Sequence, residues 1–301
     1  MSNEPLVSVL MTAYNREQYI AEAIESVINS TYQNWELIIV DDGSKDNTVA
    51  IAKTYADKDT RIKFYRNETN LGDYPNRNKA ASYAKGIYLK YVDSDDIIYP
   101  WCLTTMVSCM ESFSEAVFGA TSSIMNKQLY PVPLSSEMGY RFYFYKNQYL
   151  NAGPTSCIIK KSAFDKKGGF SGEQFLGDTE LWLRLIRDNS MVIMPEGLVF
   201  WREHNTQQIK EEKTNIGIEY KRMEVIRTIL LDVNSPLDRK EGTQILRNLK
   251  NIKCREVLIL FLKGNFSEAI SRCRLLKLSL SDFLLSFKQN KISNGLNLVT
   301  R

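Results

Sequence analysis

Short apolar runs rich in β-branched residues alternate with amphipathic helical segments along the first ninety residues of the chain. The strand-like runs cover residues 6–13, 36–40, 62–65 and 87–92, and the clearest helical stripe covers residues 19–29. Because the links between these segments are short, the alternation predicts a mainly parallel sheet with helices on both faces. In such a sheet, ligands bind beyond the carboxyl ends of the strands.

Turn and capping signals predict where further elements begin and end. Asp46 is expected to cap a helix that runs to about residue 55, and Pro75 to open a helix that Gly86 ends. Helices are also expected at residues 101–113 and 179–187, strands at 117–120, 157–159, 191–194 and 198–201, and a loop-rich aromatic stretch at 123–150. After Asn205 the pattern favours helices alone, over residues 216–232, 240–262, 267–278 and 282–287.

Bulk composition excludes several classes of protein. No apolar run approaches the roughly 18 residues of a membrane span, and the first five residues are polar. The sequence therefore predicts no signal peptide and a cytosolic location. The five cysteines are odd in number and form no C-x-x-C pair, so reduced and mostly buried thiols are expected.

The net charge of +4 is unevenly distributed along the chain. Residues 245–301 carry eleven basic and three acidic residues, a net of +8, which leaves −4 for the first 244 residues. This basic tail is either a solvated helical face, a surface that packs on the rest of the chain or on a second copy, or a contact for an anionic membrane. Nucleic acid is not an expected partner, because the body is acidic and its aromatic residues are not interleaved with basic ones.

Three carboxylates follow the fourth strand-like run, in the sequence Asp93-Ser94-Asp95-Asp96. Carboxylates at the end of a buried strand are costly unless positive charge lies close to them. A divalent cation that carries a diphosphate would supply that charge. The region contains no G-x-G-x-x-G or Walker pattern, which argues against a nucleotidyltransferase with a glycine-rich phosphate loop.

Four motifs occur in order: residues 7–15 (VSVLMTAYN), residues 40–46 (VDDGSKD), Arg77-Asn78, and residues 93–96 (DSDD). Together they resemble glycosyltransferase family 2, and the resemblance covers about residues 5–205. It implies the GT-A fold, a Rossmann-like α/β sheet, here with a C-terminal helical appendage. It further implies a catalytic domain at 1–207, with a nucleotide-binding half at 1–100 and an acceptor-binding half at 101–207. The helical pattern of the tail predicts a helical region at 208–301.

The resemblance assigns the nucleotide to the first two motifs. Asp42 would accept the imide N–H of a uracil ring, although a turn with local hydrogen bonds also explains Asp41 and Asp42. Thr12 would hydrogen-bond the edge of the base and Tyr14 would lie against it, whereas plain packing is the alternative for Tyr14. Asn15 belongs to the same nucleotide-binding motif.

The resemblance assigns the diphosphate and its Mg²⁺ or Mn²⁺ ion to the later motifs. Asp95 would bind the metal, since these cations prefer oxygen ligands, and Asp93 would contact the ribose or a metal-bound water. Arg77 would neutralise phosphate or brace the carboxylates; otherwise it is a surface arginine. His204, the single histidine, would lie near the metal or the diphosphate, or have a structural role. Asp96 is expected to cap the helix near Trp101 or to pair with Arg77.

Asp178 is the expected general base, at the start of a predicted helix. The family usually has Glu-Asp here, whereas this chain has Gly177-Asp178, and an ordinary helix cap is the alternative. Glu180 is the second choice. The implied reaction is an inverting transfer, by a hexosyl- or N-acetylhexosaminyltransferase, from a UDP-sugar to a saccharide or lipid-linked acceptor of bacterial surface polysaccharide. The alternative function is a degenerate transferase that binds nucleotides or acts as a scaffold.

Overall fold

A computed structural model describes residues 4–122, 129–145, 153–172, 175–204 and 216–287 of the chain. The chain divides into two compact units, Met1–Ile209 and Lys210–Arg301. The domain boundary expected at 207/208 falls within residues 205–215, which lie outside the described ranges.

The first unit contains ten strands and seven helices within its described residues. The strands are β1 Val7–Ala13, β2 Trp35–Asp41, β3 Ile62–Arg66, β4 Tyr88–Tyr91, β5 Ile97–Ile98, β6 Ala116–Thr121, β7 Val132–Leu134, β8 Cys157–Lys160, β9 Ser190–Met194 and β10 Val199–Phe200. The helices are α1 Ile20–Ile28, α2 Thr48–Ala56, α3 Asp73–Ser82, α4 Cys102–Ser112, α5 Ser136–Tyr145, α6 Lys161–Lys166 and α7 Gly177–Arg187. A 3₁₀ turn, Pro154–Ser156, precedes β8.

Eight of these strands form one sheet in the order β3-β2-β1-β4-β8-β6-β9-β7. The first four are parallel, and β6 pairs in parallel with β9. β8 runs antiparallel between β4 and β6, and β7 is antiparallel to β9. β5 and β10 form a separate antiparallel pair. The predicted α/β fold, with a mainly parallel sheet flanked by helices and a helical C-terminal region, is therefore confirmed.

Both faces of the sheet are covered, as the period-two pattern of its strands requires. Alternate residues of β1, among them Val7, Val9 and Met11, pack into one buried cluster with the apolar stripes of α1 and α4. On the opposite face, Tyr91 contacts the ring of Phe170, which in turn lies 6.1 Å from that of Trp182. All five cysteines are free thiols, and four of them are buried.

Several predicted boundaries were wrong. α3 begins at Asp73, so Pro75 is its third residue, and the helix ends at Ser82 rather than at Gly86. Gly86 instead lies against β1, where an added Cβ would be 2.6 Å from the Leu6 carbonyl oxygen. The aromatic stretch expected to be loop-rich contains β7 and α5, while residues 123–128 and 146–150 lie outside the described ranges.

The second unit consists of helices in its described residues: α8 Ile216–Leu231, α9 Arg239–Leu262, α10 Phe266–Leu275 and α11 Leu280–Ser286. Asp238 caps α9 by accepting from Glu241 N at 2.7 Å, and Ser279 and Asp282 form a capping box at α11. Ion pairs join the helices, because Glu219 of α8 contacts both Lys253 (2.5 Å) and Arg272 (3.2 Å). Within the described ranges of the chain, each helix is too short or too polar to cross a membrane.

Candidate active site

The carboxyl ends of β1, β2 and β4 meet at one edge of the sheet, because these strands are neighbours and parallel. The segments that leave this edge are residues 14–19 after β1, residues 42–47 after β2 and residues 92–96 after β4. Most of the site residues expected from the sequence therefore share one region.

Asp41 closes the turn after β2. Its buried Oδ1 accepts hydrogen bonds from Gly43 N (3.1 Å) and Ser44 N (3.0 Å), and Arg66 Nε lies 3.4 Å from the same oxygen. The local-turn explanation therefore describes the contacts of Asp41.

Asp42 is 3% exposed and its carboxylate is already engaged by protein groups. Oδ1 accepts from Asn67 Nδ2 (2.7 Å) and Leu71 N (2.8 Å), and Oδ2 accepts from Gly72 N (2.9 Å). A carboxylate offers about four acceptor positions, so these bonds occupy most of them. Asp42 thus shapes the loop before α3, and base recognition stays a prediction.

The residues that end β1 have different surroundings. Thr12 is half-buried within β1, opposite Val40, whereas Tyr14 is 41% exposed at the sheet edge. Asn15 adopts a left-handed conformation (φ 52°). Its N–H donates to Ser44 Oγ and its Oδ1 accepts from Lys45 N, both at 2.9 Å. Asn15 therefore ties the segment after β1 to the turn after β2.

Arg77 is buried between two carboxylates and is not a surface arginine. Its Nε lies 2.8 Å from Asp73 Oδ1, and a terminal guanidinium nitrogen lies 2.7 Å from Asp93 Oδ1. Burial alone would lower the pKa of Arg77, but the charges of Asp73, Asp93 and Asp178 outweigh it and raise the pKa well above its usual value. The guanidinium therefore stays charged and braces Asp93.

Asp96 makes neither of its two expected contacts. The helix α4 has no side-chain cap, and Arg77 pairs with Asp73 and Asp93. Asp96 Oδ1 instead accepts from Arg202 N at 3.2 Å. Burial, reinforced by the charge of Asp93, raises the pKa of Asp96 to about 7. Burial likewise raises the pKa of Asp93, against the opposing charge of Arg77.

Asp95 contacts His204 and Arg16 through a single oxygen. Oδ2 lies 2.9 Å from His204 Nε2 and 3.0 Å from Arg16 Nε. The His204 ring stacks on the Tyr19 ring, with centroids 4.9 Å apart. The Arg202 guanidinium lies over the Tyr19 ring, 5.1 Å from its centroid. The structure therefore brings together the two predicted metal residues, which are 109 positions apart in the sequence.

Asp95 Oδ2 and His204 Nε2 are hydrogen-bonded at 2.9 Å. Adjacent ligands of an octahedral cation at the ~2.0–2.1 Å distance of Mg²⁺ lie roughly 2.9–3.0 Å apart, so the two atoms would need little displacement to take a cation in place of the proton between them. Among the described residues no group of three or more His, Cys, Asp or Glu side chains is suited to hold a metal. Asp95 and His204 would therefore hold the ion together with phosphate and water oxygens.

Asp178 is the second residue of α7, and the N-cap of that helix is Leu176, without a side-chain cap. Its charge acts on Arg77 and on the Tyr74 hydroxyl, which accepts a hydrogen bond from the Asp178 backbone. Burial, followed by this charge, raises the pKa of Tyr74. Glu180 is engaged elsewhere, since it pairs with Arg184 at 2.5 Å.

Sequence reasoning missed Arg16 and Tyr74. The position of Arg16, directly after the motif that ends at Asn15, was the available signal. The signal for Tyr74 was Gly177, which stands where the family usually has an acid. An added Cβ at Gly177 would lie 2.7 Å from atoms of the Tyr74 ring, so this ring occupies the space next to the candidate base.

Residues 8–167 match the family described as Glycosyl transferase family 2, and the chain belongs to this family. A curated relative, an uncharacterized glycosyltransferase MJ1057 of Methanocaldococcus jannaschii, is 34% identical over 229 residues, which are 70% of this chain and 77% of the relative. Another is the Escherichia coli enzyme UDP-Glc:alpha-D-GlcNAc-diphosphoundecaprenol beta-1,3-glucosyltransferase WfgD, 43% identical over 105 residues, or 35% of this chain and 41% of that enzyme.

Solved structures show the same fold. S. aureus TarS 1–349 in complex with UDP-GlcNAc superposes with a TM-score of 0.66 at 19% identity, covering 93% of this chain and 79% of that one. The mannosyltransferase PcManGT from Pyrobaculum calidifontis, in complex with GDP-Man and Mn²⁺, gives 0.64 at 14% identity, covering 94% and 79%. At these identities the similarity establishes the fold alone.

Proposed function

We propose that this chain is an inverting glycosyltransferase that moves a hexosyl or N-acetylhexosaminyl group from a nucleotide diphosphate to a hydroxyl of a saccharide or lipid-linked saccharide. The observation that carries the proposal is the 2.9 Å contact between Asp95 and His204, which brings together the two residues predicted to bind the cation. It lies at the sheet edge where Arg77 braces the neighbouring Asp93. Ligands of parallel α/β sheets bind at this edge.

The residues divide the reaction between them. Asp178 takes the proton of the acceptor hydroxyl as that oxygen attacks the anomeric carbon. Arg77, which stays charged, holds Asp93 in place and faces the developing charge of the diphosphate. A divalent cation, when bound by Asp95 and His204, supplies the further positive charge that stabilises the leaving group. One in-line displacement inverts the anomeric centre, without a second carboxylate as nucleophile.

The similar proteins support uridine diphosphate as the carrier and Mn²⁺ or Mg²⁺ as the cation. The name of WfgD specifies UDP-glucose and a diphosphoundecaprenol-linked acceptor, and TarS was solved with UDP-GlcNAc. PcManGT holds GDP-Man with Mn²⁺, so a guanosine nucleotide is the competing donor. We extend the proposal to bacterial surface polysaccharide synthesis on these grounds.

Thermal unfolding with UDP, GDP, dTDP and CDP, each with and without Mn²⁺, tests the nucleotide and the metal together. A ligand at 100 times its Kd stabilises the folded state by about 2.7 kcal/mol. We expect the largest shift with UDP, and only with Mn²⁺ present. Asp95→Asn should abolish the metal dependence, whereas Asp57→Asn, an exposed acid at the end of α2, should not. A shift with none of the nucleotides would favour the scaffold function.

Asp178→Asn separates an active transferase from a degenerate one. This variant should keep the UDP-dependent shift in unfolding temperature and lose transfer by about 10²–10⁴-fold, since a general base contributes that much. Full transfer by Asp178→Asn would refute Asp178 as the base. A wild type that binds UDP and transfers to no saccharide or lipid-linked acceptor would support the scaffold instead.

We also propose that the second unit contacts an anionic membrane. Of its basic residues, Lys250, Lys253 and Arg272 form ion pairs with acids of other helices. Exposed apolar residues lie at helical spacing on two helices, Ile252 and Ile259 on α9 and Leu280 and Leu284 on α11, with Phe287 at the C-cap of α11. Exposed basic residues from α9 onward include Arg247, Arg255, Lys263, Arg274 and Lys277. Apolar faces flanked by basic groups favour anionic lipid surfaces.

Vesicle flotation tests this contact on the full chain. We expect the protein to float with phosphatidylglycerol vesicles and to remain in the bottom fraction when phosphatidylcholine vesicles are used. Leu284→Asp with Phe287→Asp should abolish flotation, whereas Val233→Asp, an exposed residue between α8 and α9, should not. Failure of the wild type to float with either vesicle would exclude the membrane and leave packing on a second copy of the chain to be examined by sedimentation.

A further inference from the structure

Arg16 forms an ion pair with Asp95, the carboxylate that is proposed to bind the cation. Its Nε lies 3.0 Å from Asp95 Oδ2, the oxygen that also contacts His204. The three side chains are largely buried, with 23%, 14% and 8% of Arg16, Asp95 and His204 exposed. A charge pair at this depth is screened less by solvent than a pair on the surface.

The segment after β1 holds Arg16 in this position through its own backbone. The left-handed Asn15 turns the chain, and the N–H of Arg16 donates to Thr48 Oγ1 at 2.7 Å. One terminal guanidinium nitrogen donates to the carbonyl oxygens of Tyr14 (3.2 Å) and Asn15 (3.1 Å). The backbone of Arg16 is therefore anchored without Asp95, and its side chain lies between these carbonyl oxygens and the Asp95 carboxylate.

A cation and the Arg16 guanidinium compete for Asp95. Both carry positive charge, and a cation held between Asp95 Oδ2 and His204 Nε2 would share Oδ2 with Arg16, so their simultaneous contact with this oxygen is disfavoured by repulsion at short range. Among the described residues no group of three or more His, Cys, Asp or Glu side chains is suited to hold a metal, so a cation at Asp95 and His204 needs further oxygen donors. A diphosphate supplies those donors, and it supplies negative charge to which Arg16 can turn.

We infer that Arg16 makes cation binding depend on the nucleotide. In the nucleotide-free protein Arg16 neutralises Asp95. When the diphosphate binds with its cation, the guanidinium leaves the Asp95 carboxylate and contacts the diphosphate, and the cation takes its place at Asp95. This inference rests on the proposed function, because it takes Asp95 as a ligand of the cation. Arg16 is thus a positioning residue whose effect is a coupling between two ligands, and such a coupling is reciprocal.

Binding of Mn²⁺ to the full chain, measured by electron paramagnetic resonance of the free ion with and without saturating UDP, tests the inference. In Arg16→Met, Mn²⁺ alone should bind about two- to fivefold more tightly than in the wild type, the range expected for loss of an ion pair that is not fully buried. UDP in the presence of Mn²⁺ should bind about tenfold more weakly, because a charged hydrogen bond to phosphate is lost. The two changes have opposite signs, which a general disturbance of the site would not produce.

Two comparisons control the measurement. Arg61→Met removes an arginine paired with Asp59, before β3 at the opposite edge of the sheet, and should leave both Kd values unchanged. Arg16→Lys keeps the charge and should stay within about twofold of the wild type for Mn²⁺ alone. Thermal unfolding of each variant shows that it is folded.

The outcomes separate this inference from the proposed function. If Asp95→Asn binds Mn²⁺ in the presence of UDP as tightly as the wild type does, Asp95 is not a ligand of the cation. The metal-binding part of the proposed function is then refuted. If Asp95→Asn loses Mn²⁺ but folded Arg16→Met binds Mn²⁺ alone no more tightly than the wild type, the site stands and the role of Arg16 is refuted. Unchanged UDP affinity in Arg16→Met would also refute the exchange.

Discussion

Two groups of aspartates at one sheet edge are held in different ways. After β2, the carboxylates of Asp41 and Asp42 accept mainly backbone N–H groups of the neighbouring turns. After β4, Asp93 and Asp95 are held by the side chains of Arg77, Arg16 and His204. The first group is bonded to the fold itself, and the second to charged groups that a ligand can replace.

This difference separates structural from exchangeable negative charge. Backbone N–H groups cannot leave without unfolding the turn, so the carboxylates after β2 stabilise its geometry. Side-chain cations can rotate toward another anion, so the carboxylates after β4 can accept a metal without loss of the strand. We therefore expect substitutions after β4 to affect chemistry more than stability, and substitutions after β2 to do the reverse.

Among substitutions of these two groups of aspartates, Asp95→Asn should give the largest effect. Transfer activity, measured as kcat/KM, should fall by about 10²–10³-fold, since one electrostatic contact at the reacting centre is removed. The free energy of unfolding in urea should fall by about 1 kcal/mol, because the amide keeps an oxygen acceptor for Arg16 and His204 while the charge of Asp95 is lost. Asp165→Asn, which breaks an exposed pair with Lys161, should change neither quantity. A loss of stability larger than the loss of activity would contradict the comparison.

Asp42→Asn should show the opposite balance. The amide replaces an acceptor that faces the N–H groups of Leu71 and Gly72 with a donor, inside a buried site. We expect a loss of about 3 kcal/mol in the free energy of unfolding. Asp57→Asn, the exposed control at the end of α2, should be neutral. If Asp42 instead only reads the base, UDP affinity would fall while the urea midpoint stays unchanged.

Gly177→Ala tests the space beside Asp178, the candidate base. Asp178 belongs neither to the aspartates after β2 nor to those after β4. The new methyl would lie 2.7 Å from the buried Tyr74 ring, which also stacks on Phe170 at 5.2 Å. Displacing this ring should cost about 2 kcal/mol in unfolding free energy. The matched control is Gly153→Ala, since Gly153 has a negative φ and open space around it. Equal stability of the two variants would mean that Tyr74 moves freely.

The sequence predicted the fold well because its signals are local. Alternation of strand and helix patterns located the parallel strands within one or two residues, and the family motifs lie at strand ends. The failures had local causes as well. The aromatic residues of α5 hid its helical period, and Gly86 suggested a helix end although close approach to Leu6 explains it.

The site was less predictable, because its contacts join distant parts of the chain. Asp95 and His204 were each selected by motif, but their 2.9 Å separation depends on how the segment after β10 returns to β4. Arg16 was missed because its role depends on this pairing rather than on its own neighbours in the sequence. The base-binding, metal-binding and catalytic roles stay predictions that the substitutions above test.

Lys90→Met should give the smallest effect. It extends the comparison from the carboxylates that follow β4 to a buried charge within β4. Lys90 is fully buried in this strand, and its ammonium group donates to the carbonyl oxygen of Thr155, whose hydroxyl accepts from Asp93 N. Burying a charge is costly, so replacing it with an apolar chain of similar length should change the free energy of unfolding by about 1 kcal/mol or less at neutral pH. The exposed Lys58→Met is the control.

The pH dependence of that difference shows whether the buried ammonium carries a cost. Burial lowers the pKa of Lys90 from 10.5 in the folded protein, so the unfolded chain holds more protons between the folded and the unfolded pKa. Stability of the wild type should therefore rise with pH in this interval, relative to Lys90→Met, which lacks the group. Urea unfolding of both proteins between neutral pH and pH of about 10 measures the difference, in which other titrating groups cancel. A difference that does not change with pH would mean that Lys90 has the same pKa in the folded and the unfolded chain. Burial of its ammonium group within β4 would then carry no cost.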